Sequence, residues 1–243
     1  MPQLRPNPVS TLARLCAGLH LCLSAAAAFN PIHEASYNLE PRGNFPSGAT
    51  LQVAGIIDSR NTGVWQVPAS LALRITPRME LGLGLKTIWG GGDDHVPHLV
   101  FGVKWLSPGQ TSYQADMLVP ANSGYGKGFS LASHHRFGHG GMLSSRLAVR
   151  LGFMEALVTD DALMAFETGF YPALNVGSGL SLECGLIGSS QTKDFEPHFA
   201  LDLQPAINVG FARASTLEAA VAIGLAGDRK EEMKVKLVVI HGF

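Results

Sequence analysis

Residues 233–243 read MKVKLVVIHGF, and the parity of this stretch decides the fold. Met233, Val235, Leu237, Val239, His241 and Phe243 share one parity, while Lys234 and Lys236 fall on the other. Alternation of period two is the mark of a strand with an apolar and a polar face, because successive side chains leave a strand on opposite sides.

Working back from this strand, the same alternation runs to Thr50. It predicts twelve strands, near 50–58, 64–75, 79–88, 97–106, 111–119, 127–137, 142–154, 161–171, 176–187, 196–210, 216–226 and 233–243. Their lengths cluster near the 9–11 residues with which a tilted strand crosses a bilayer core. The connections TPRM, SPGQ, GHGG, YPALN and ARAS are short; SRNTG, GGGDDHV, ANSGYG, EALVTD, SSQTKD and GDRKEE are mostly longer and more polar. With both termini in the periplasm, every short turn falls on that side and every longer loop outside. The segments LRITPRMELGLGL, GFYPALNVGSGLSL and VGFARASTLEAAVAIGL each read strand, tight turn, strand, three hairpins of one meander. The fold class expected is therefore all-β: a closed antiparallel up-and-down transmembrane β-barrel of about 12 strands over residues 50–243.

Aromatic placement points the same way, since barrels in lipid carry aromatic girdles on the outward face at both interfaces. Trp65, Trp89, Phe129 and Phe153 fall near the outer strand ends, and Trp105, Tyr113, Phe137, Phe170, Phe211 and Phe243 near the periplasmic ends. In a soluble barrel with an apolar inside, aromatics would favour the strand middles instead.

The final strand resembles those of outer-membrane barrels in general, which alternate apolar residues and end in Phe. The resemblance implies that Phe243 is an assembly signal read by the barrel-assembly machinery; His241 departs from the usual aromatic or apolar residue. A second resemblance, to the transporter barrels linked to phenol meta-pathway degradation, rests on the spacing of ALRITPRMELGLGLKTIW, HLVFGVKWLSPG and LQPAINVGFARASTLEAAVAIGLAG. It implies uptake of small, often hydrophobic compounds and assigns no functional residue.

Composition agrees with these expectations. Among 243 residues, 46% are hydrophobic, 15% charged and 28 are glycine, too glycine-rich for a helical protein and too apolar for a disordered one. A net charge of −1 without any basic run excludes the electrostatic footprint of a nucleic-acid binder. At the amino end, Arg5 and Arg14 precede an apolar run from Leu15 to Leu23 and small residues from Ser24 to Ala28, the order of a cleaved secretory signal. Residues 1–28 are thus expected to be removed, with Cys16 and Cys22, leaving Cys184 as a small apolar strand residue. Residues 29–49, rich in Asn, Pro and Gly, read as an irregular lead segment in the periplasm or the lumen.

The second face of the strands holds the mid-strand charge: Arg74, Glu80, Lys86, Lys104, Asp116, Arg136, Arg146, Arg150, Glu167, Glu183, Asp202, Glu218, Lys234 and Lys236. A charge on the lipid face near the bilayer midplane costs about 2–4 kcal/mol, so these residues are expected to line the lumen. Arg136, Arg146 and Arg150 make one wall basic, and Glu167, Glu183, Asp202 and Glu218 make the neighbouring wall acidic. Either a transverse field crosses a pore, or ion pairs fill a narrow barrel. Hairpin registry through residues 155–160 sets Arg150 opposite Ala165 and Arg146 opposite Gly169, with Glu167 diagonal to both arginines.

Enzyme readings are weaker. His134 and His135 lie near Ser130, Ser133, Ser144 and Ser145, but no G-x-S-x-G segment is present. Asp93, Asp94, His95 and His98 could ligate a divalent metal, although such exposed acidic loops are usually solvated. SGYGKG lacks the phosphate-loop pattern. No catalytic group, metal or cofactor is assigned. The function expected is passive passage of small solutes across an outer membrane; a plugged interaction barrel and an outer-membrane hydrolase are the alternatives.

Overall fold

The computed structural model describes residues 48–243, apart from 59–60, 91–94, 109, 122–126, 139–140, 156–161, 178, 194–195, 213, 228–229 and 231. The segments expected to be the signal peptide and the lead lie, up to residue 47, outside the described residues.

The described chain contains thirteen strands: β1 (Ala49–Asp58), β2 (Asn61–Gln66), β3 (Ala69–Thr76), β4 (Met79–Gly90), β5 (His95–Leu106), β6 (Thr111–Pro120), β7 (Gly128–Phe137), β8 (Leu143–Glu155), β9 (Ala162–Gly177), β10 (Leu180–Lys193), β11 (Glu196–Ala212), β12 (Ser215–Gly227) and β13 (Met233–Gly242). Each pairs antiparallel with its neighbours in one sheet, and β13 pairs back onto β1. Both β2 and β3 bridge β1 to β4, so they are two lengths of one stave interrupted at Val67 and Pro68. Proline brings no N–H to a ladder. Its carbonyl still accepts the Ala54 N–H at 2.9 Å, and the sheet continues across the break. The result is a closed barrel of 12 strands.

Closure is continuous from Thr50 opposite Gly242 to Asp58 opposite Lys234. Lipid offers no partner for an unpaired edge, which is why a spanning sheet must close. The last residue extends the seam: the Phe243 N–H donates to the Ala49 carbonyl at 2.9 Å.

Two local expectations are corrected. YPALN is not a turn; Tyr171–Asn175 belongs to β9, and the chain reverses after Gly177. Gly179 there has φ +115°, a conformation an L side chain rarely adopts, so backbone freedom rather than proline sets the turn. SSQTKD and SRNTG are not extended loops either, because most of each lies in β10 and β2 and only residues 194–195 and 59–60 connect the strands. Strands β9, β10 and β11 exceed the expected lengths as a result, and long hairpin arms replace loops at those positions.

Alternation separates the faces as its period requires. Leu51, Val53, Leu71, Leu83, Phe101, Val103, Met117, Leu131, Phe166, Leu186, Leu237 and Val239 are exposed on the outside. Trp105, Tyr113, Phe129, Phe137, Phe170, Phe211 and Phe243 project outward with them, Phe243 being 70% exposed. Phe129 stacks on Phe153 with ring centroids 4.8 Å apart. Backbone pairing sets Trp65 opposite Trp89, whose side chains lie outside the described residues. His241 also faces out: its Nδ1 lies 2.7 Å from the Ser215 hydroxyl, and its ring meets Phe243 edge-on at 4.6 Å. That hydrogen bond satisfies a polar ring at a position where lipid-facing strands usually carry an apolar side chain.

Candidate functional site

The inner face is where the fold concentrates chemistry, and small residues shape it. Ala54, Ala72, Ala132, Ala148, Ala165, Ala200, Ala206, Ala220 and Ala222 are buried there, and their short side chains leave room for long charged neighbours.

Strand registry arranges the charges in lines across the staves. Arg74 stands opposite Glu80, Glu80 opposite Lys104, and Lys104 opposite Gln114. Lys104, fully buried, has its Nζ 4.0 Å from Glu80 Oε1. Gln114 donates from Nε2 to both oxygens of Asp116, at 3.0 and 2.8 Å, and the Ser130 hydroxyl donates to Asp116 Oδ2 at 3.3 Å. These three hydrogen bonds fix the orientation of the Asp116 carboxylate. Between β12 and β13, Lys236 Nζ lies 3.4 Å from Glu218 Oε1.

A second group centres on Arg146. Its partner on β7 is Arg136 and its partner on β9 is Tyr171. The Arg146 guanidinium carbon lies 4.3 Å from the centroid of the Tyr171 ring, and Nη2 donates to Glu183 Oε1 at 3.1 Å. Tyr171 is itself wholly buried, flat against the wall over Gly169 and Gly185. A Cβ at either glycine would approach the ring to 2.6 Å, so glycine on both sides is what lets the ring lie down.

The registry between β8 and β9 differs from the expected one. Arg150 stands directly opposite Glu167, Arg146 opposite Tyr171, and Ala165 opposite Gly152. The hairpin reverses about one residue later than assumed, with Glu155 paired to Ala162, and this moves every partner by two. Glu167 therefore faces one arginine rather than lying diagonal to two.

Of the charged positions singled out from the sequence, Glu80, Lys104, Asp116, Arg146, Arg150, Glu167, Asp202, Glu218 and Lys236 are buried, and Arg74, Arg136, Glu183 and Lys234 are half-buried. The side chain of Lys86 lies outside the described residues. Buried Gln52, Gln114, Ser130, Gln204 and Asn208 share the inward face. They were legible by parity, and a search restricted to formal charge passes over them. Tyr171 was missed because Pro172 made its segment read as a turn.

Among the described residues, three of the serines and histidines singled out for catalysis have other partners. Ser130 bonds to Asp116, His135 Nδ1 lies 3.0 Å from the Thr111 hydroxyl, and Ser144 accepts from Asn175 Nδ2 at 3.4 Å. Asp93 and Asp94 lie outside the described residues. His98 is buried, and no group of three metal-ligating side chains occurs among the described residues.

No protein-family model and no curated protein matches the chain. Solved structures do. An outer membrane channel from Pseudomonas putida F1 superposes with a TM-score of 0.61 at 14% identity, covering 83% of this chain and 97% of that one. The chain shares the β-barrel fold of these outer-membrane proteins. The NanC porin gives a TM-score of 0.59 at 12% identity, over 79% of this barrel and 100% of its own chain. The KdgM porin gives 0.55 at 8% identity, over 80% and 99%. At these identities the likeness establishes the fold.

Proposed function

We propose that this outer-membrane barrel is a passive channel for small solutes, lined by the charged residues of its inner face. The observation that carries the reading is the contrast between faces: apolar side chains meet lipid, whereas charge of both signs sits inside among alanines and glycines. Eight-stranded barrels are just filled by their side chains, and a barrel of 12 strands is wider. Short inward residues such as Ala72, Ala148 and Ala165 do not reach its axis. Export is assigned to residues 1–28 as a cleaved signal, and insertion to recognition of Phe243 by the barrel-assembly machinery. The lead segment 29–49 is assigned to the periplasm or the lumen.

The resemblance to barrels linked to phenol meta-pathway degradation supports small, often hydrophobic compounds as one solute class. The pairs Arg146–Glu183 and Lys236–Glu218 favour the rival reading, a lumen closed by its own ion pairs. Planar-bilayer recording on refolded protein separates the two. Discrete conductance steps are expected; a correctly closed barrel that passes no current under any ionic condition would replace the channel with a plugged structural or interaction barrel.

A further inference from the structure

We propose that Arg136 and Arg146 form a binding subsite for small carboxylates inside the mouth at the end that carries both Ala49 and Phe243, an inference that rests on the channel reading above. The two side chains occupy directly opposed positions on β7 and β8. Like charges so placed repel each other, and a sheet tolerates them only where something offsets the repulsion.

The protein offsets half of it. Glu183 bonds Arg146 through Nη2 at 3.1 Å and is, among the described residues, the one carboxylate within ion-pair range of either guanidinium. Two cations and one anion leave one positive charge over. Arg150, four residues along β8, faces Glu167 and does not add to this excess.

Arg146 is fixed in place with donors to spare. Tyr171 lies against its guanidinium, Glu183 holds one nitrogen, and Nε and Nη1 are buried without a hydrogen-bond partner. The Arg136 side chain, half-buried on the neighbouring strand, makes no ion pair or hydrogen bond with a described residue. A planar carboxylate suits what remains. It supplies the missing charge, accepts from both arginines with its two oxygens, and matches the fork of a guanidinium better than a spherical anion does. Because Arg146 is already held, little side-chain freedom is lost on binding.

The test uses the refolded full-length barrel in detergent and follows the 19F signal of trifluoroacetate, with neutral trifluoroacetamide as control. Wild type should broaden and shift trifluoroacetate alone. Arg136→Gln should weaken that binding about tenfold or more, the scale of a lost charge-assisted hydrogen bond. Arg136→Lys, which keeps the charge and loses the fork, should fall between. Equal binding by wild type and Arg136→Gln, or no discrimination against the amide, overturns the subsite. Bilayer conductance of the same preparations is read separately. Carboxylate binding without current would sink the channel and leave the subsite standing; current without arginine-dependent binding would do the reverse.

Discussion

Arg150 and Glu167 stand directly opposite each other on β8 and β9, both buried on the inner face. A buried carboxylate taken away from a facing guanidinium leaves a charge without compensation, so Glu167→Ala should destabilise the barrel by about 3–5 kcal/mol. Urea unfolding of refolded protein gives this value. A double-mutant cycle with Arg150→Ala should show that the second substitution costs much less in the Glu167→Ala background than alone. Additive effects would mean that the opposed pair does not interact.

The glycine bed beneath Tyr171 supplies a second expectation. In Gly185→Ala the new Cβ meets the ring at 2.6 Å, forcing it off the wall at a cost of about 1–3 kcal/mol. Most of that cost should disappear in a Tyr171→Ala background, measured by the same unfolding transition. A persistent cost there would assign the effect to the strand backbone and not to the ring.

At the closing seam, Val53 and Val239 are register partners. Cysteines at both positions, in a chain with Cys184 replaced by Ala, should cross-link under mild oxidation, since directly opposed antiparallel residues lie within disulfide reach. Altered migration of the denatured chain on a gel reads the link. Shifting one partner by one residue, to Val238, turns that side chain to the other face and should abolish the link.

Removal of Phe243 takes away an outward aromatic and the backbone N–H that bonds Ala49. Outer-membrane abundance in cells should fall several-fold, while strand content of protein refolded into detergent should change little. Circular dichroism and fractionation measure the two. Normal abundance of the shortened chain would count against Phe243 as an assembly signal.

Much of this architecture is legible in the sequence because parity is robust: lipid forces one face apolar, and the other face then collects Glu80, Lys104, Asp116 and Arg150. Registry is less legible. It depends on where a hairpin reverses, and one residue of error between β8 and β9 moved Glu167 from a diagonal position to a direct one. Proline was the other source of error. Pro172 read as a turn former, yet it lies within β9 opposite Ser145, and Tyr171 beside it became the centre of the Arg146 group. The opposed arginines at 136 and 146 follow from registry alone, which composition does not supply.

The pairing of β1 with β13 joins, among the described strands, the two farthest apart in the sequence, and so sets the order of events in time. Every other pairing can form between neighbours in the chain, with little loop-closure entropy. The seam alone must wait until Phe243 has been synthesised. Until then both edges offer open backbone to any strand they meet, the state in which a β protein is most apt to aggregate. A barrel closed between strands so far apart in the sequence is therefore a late-committing fold, one that passes through an open ribbon before its edges meet.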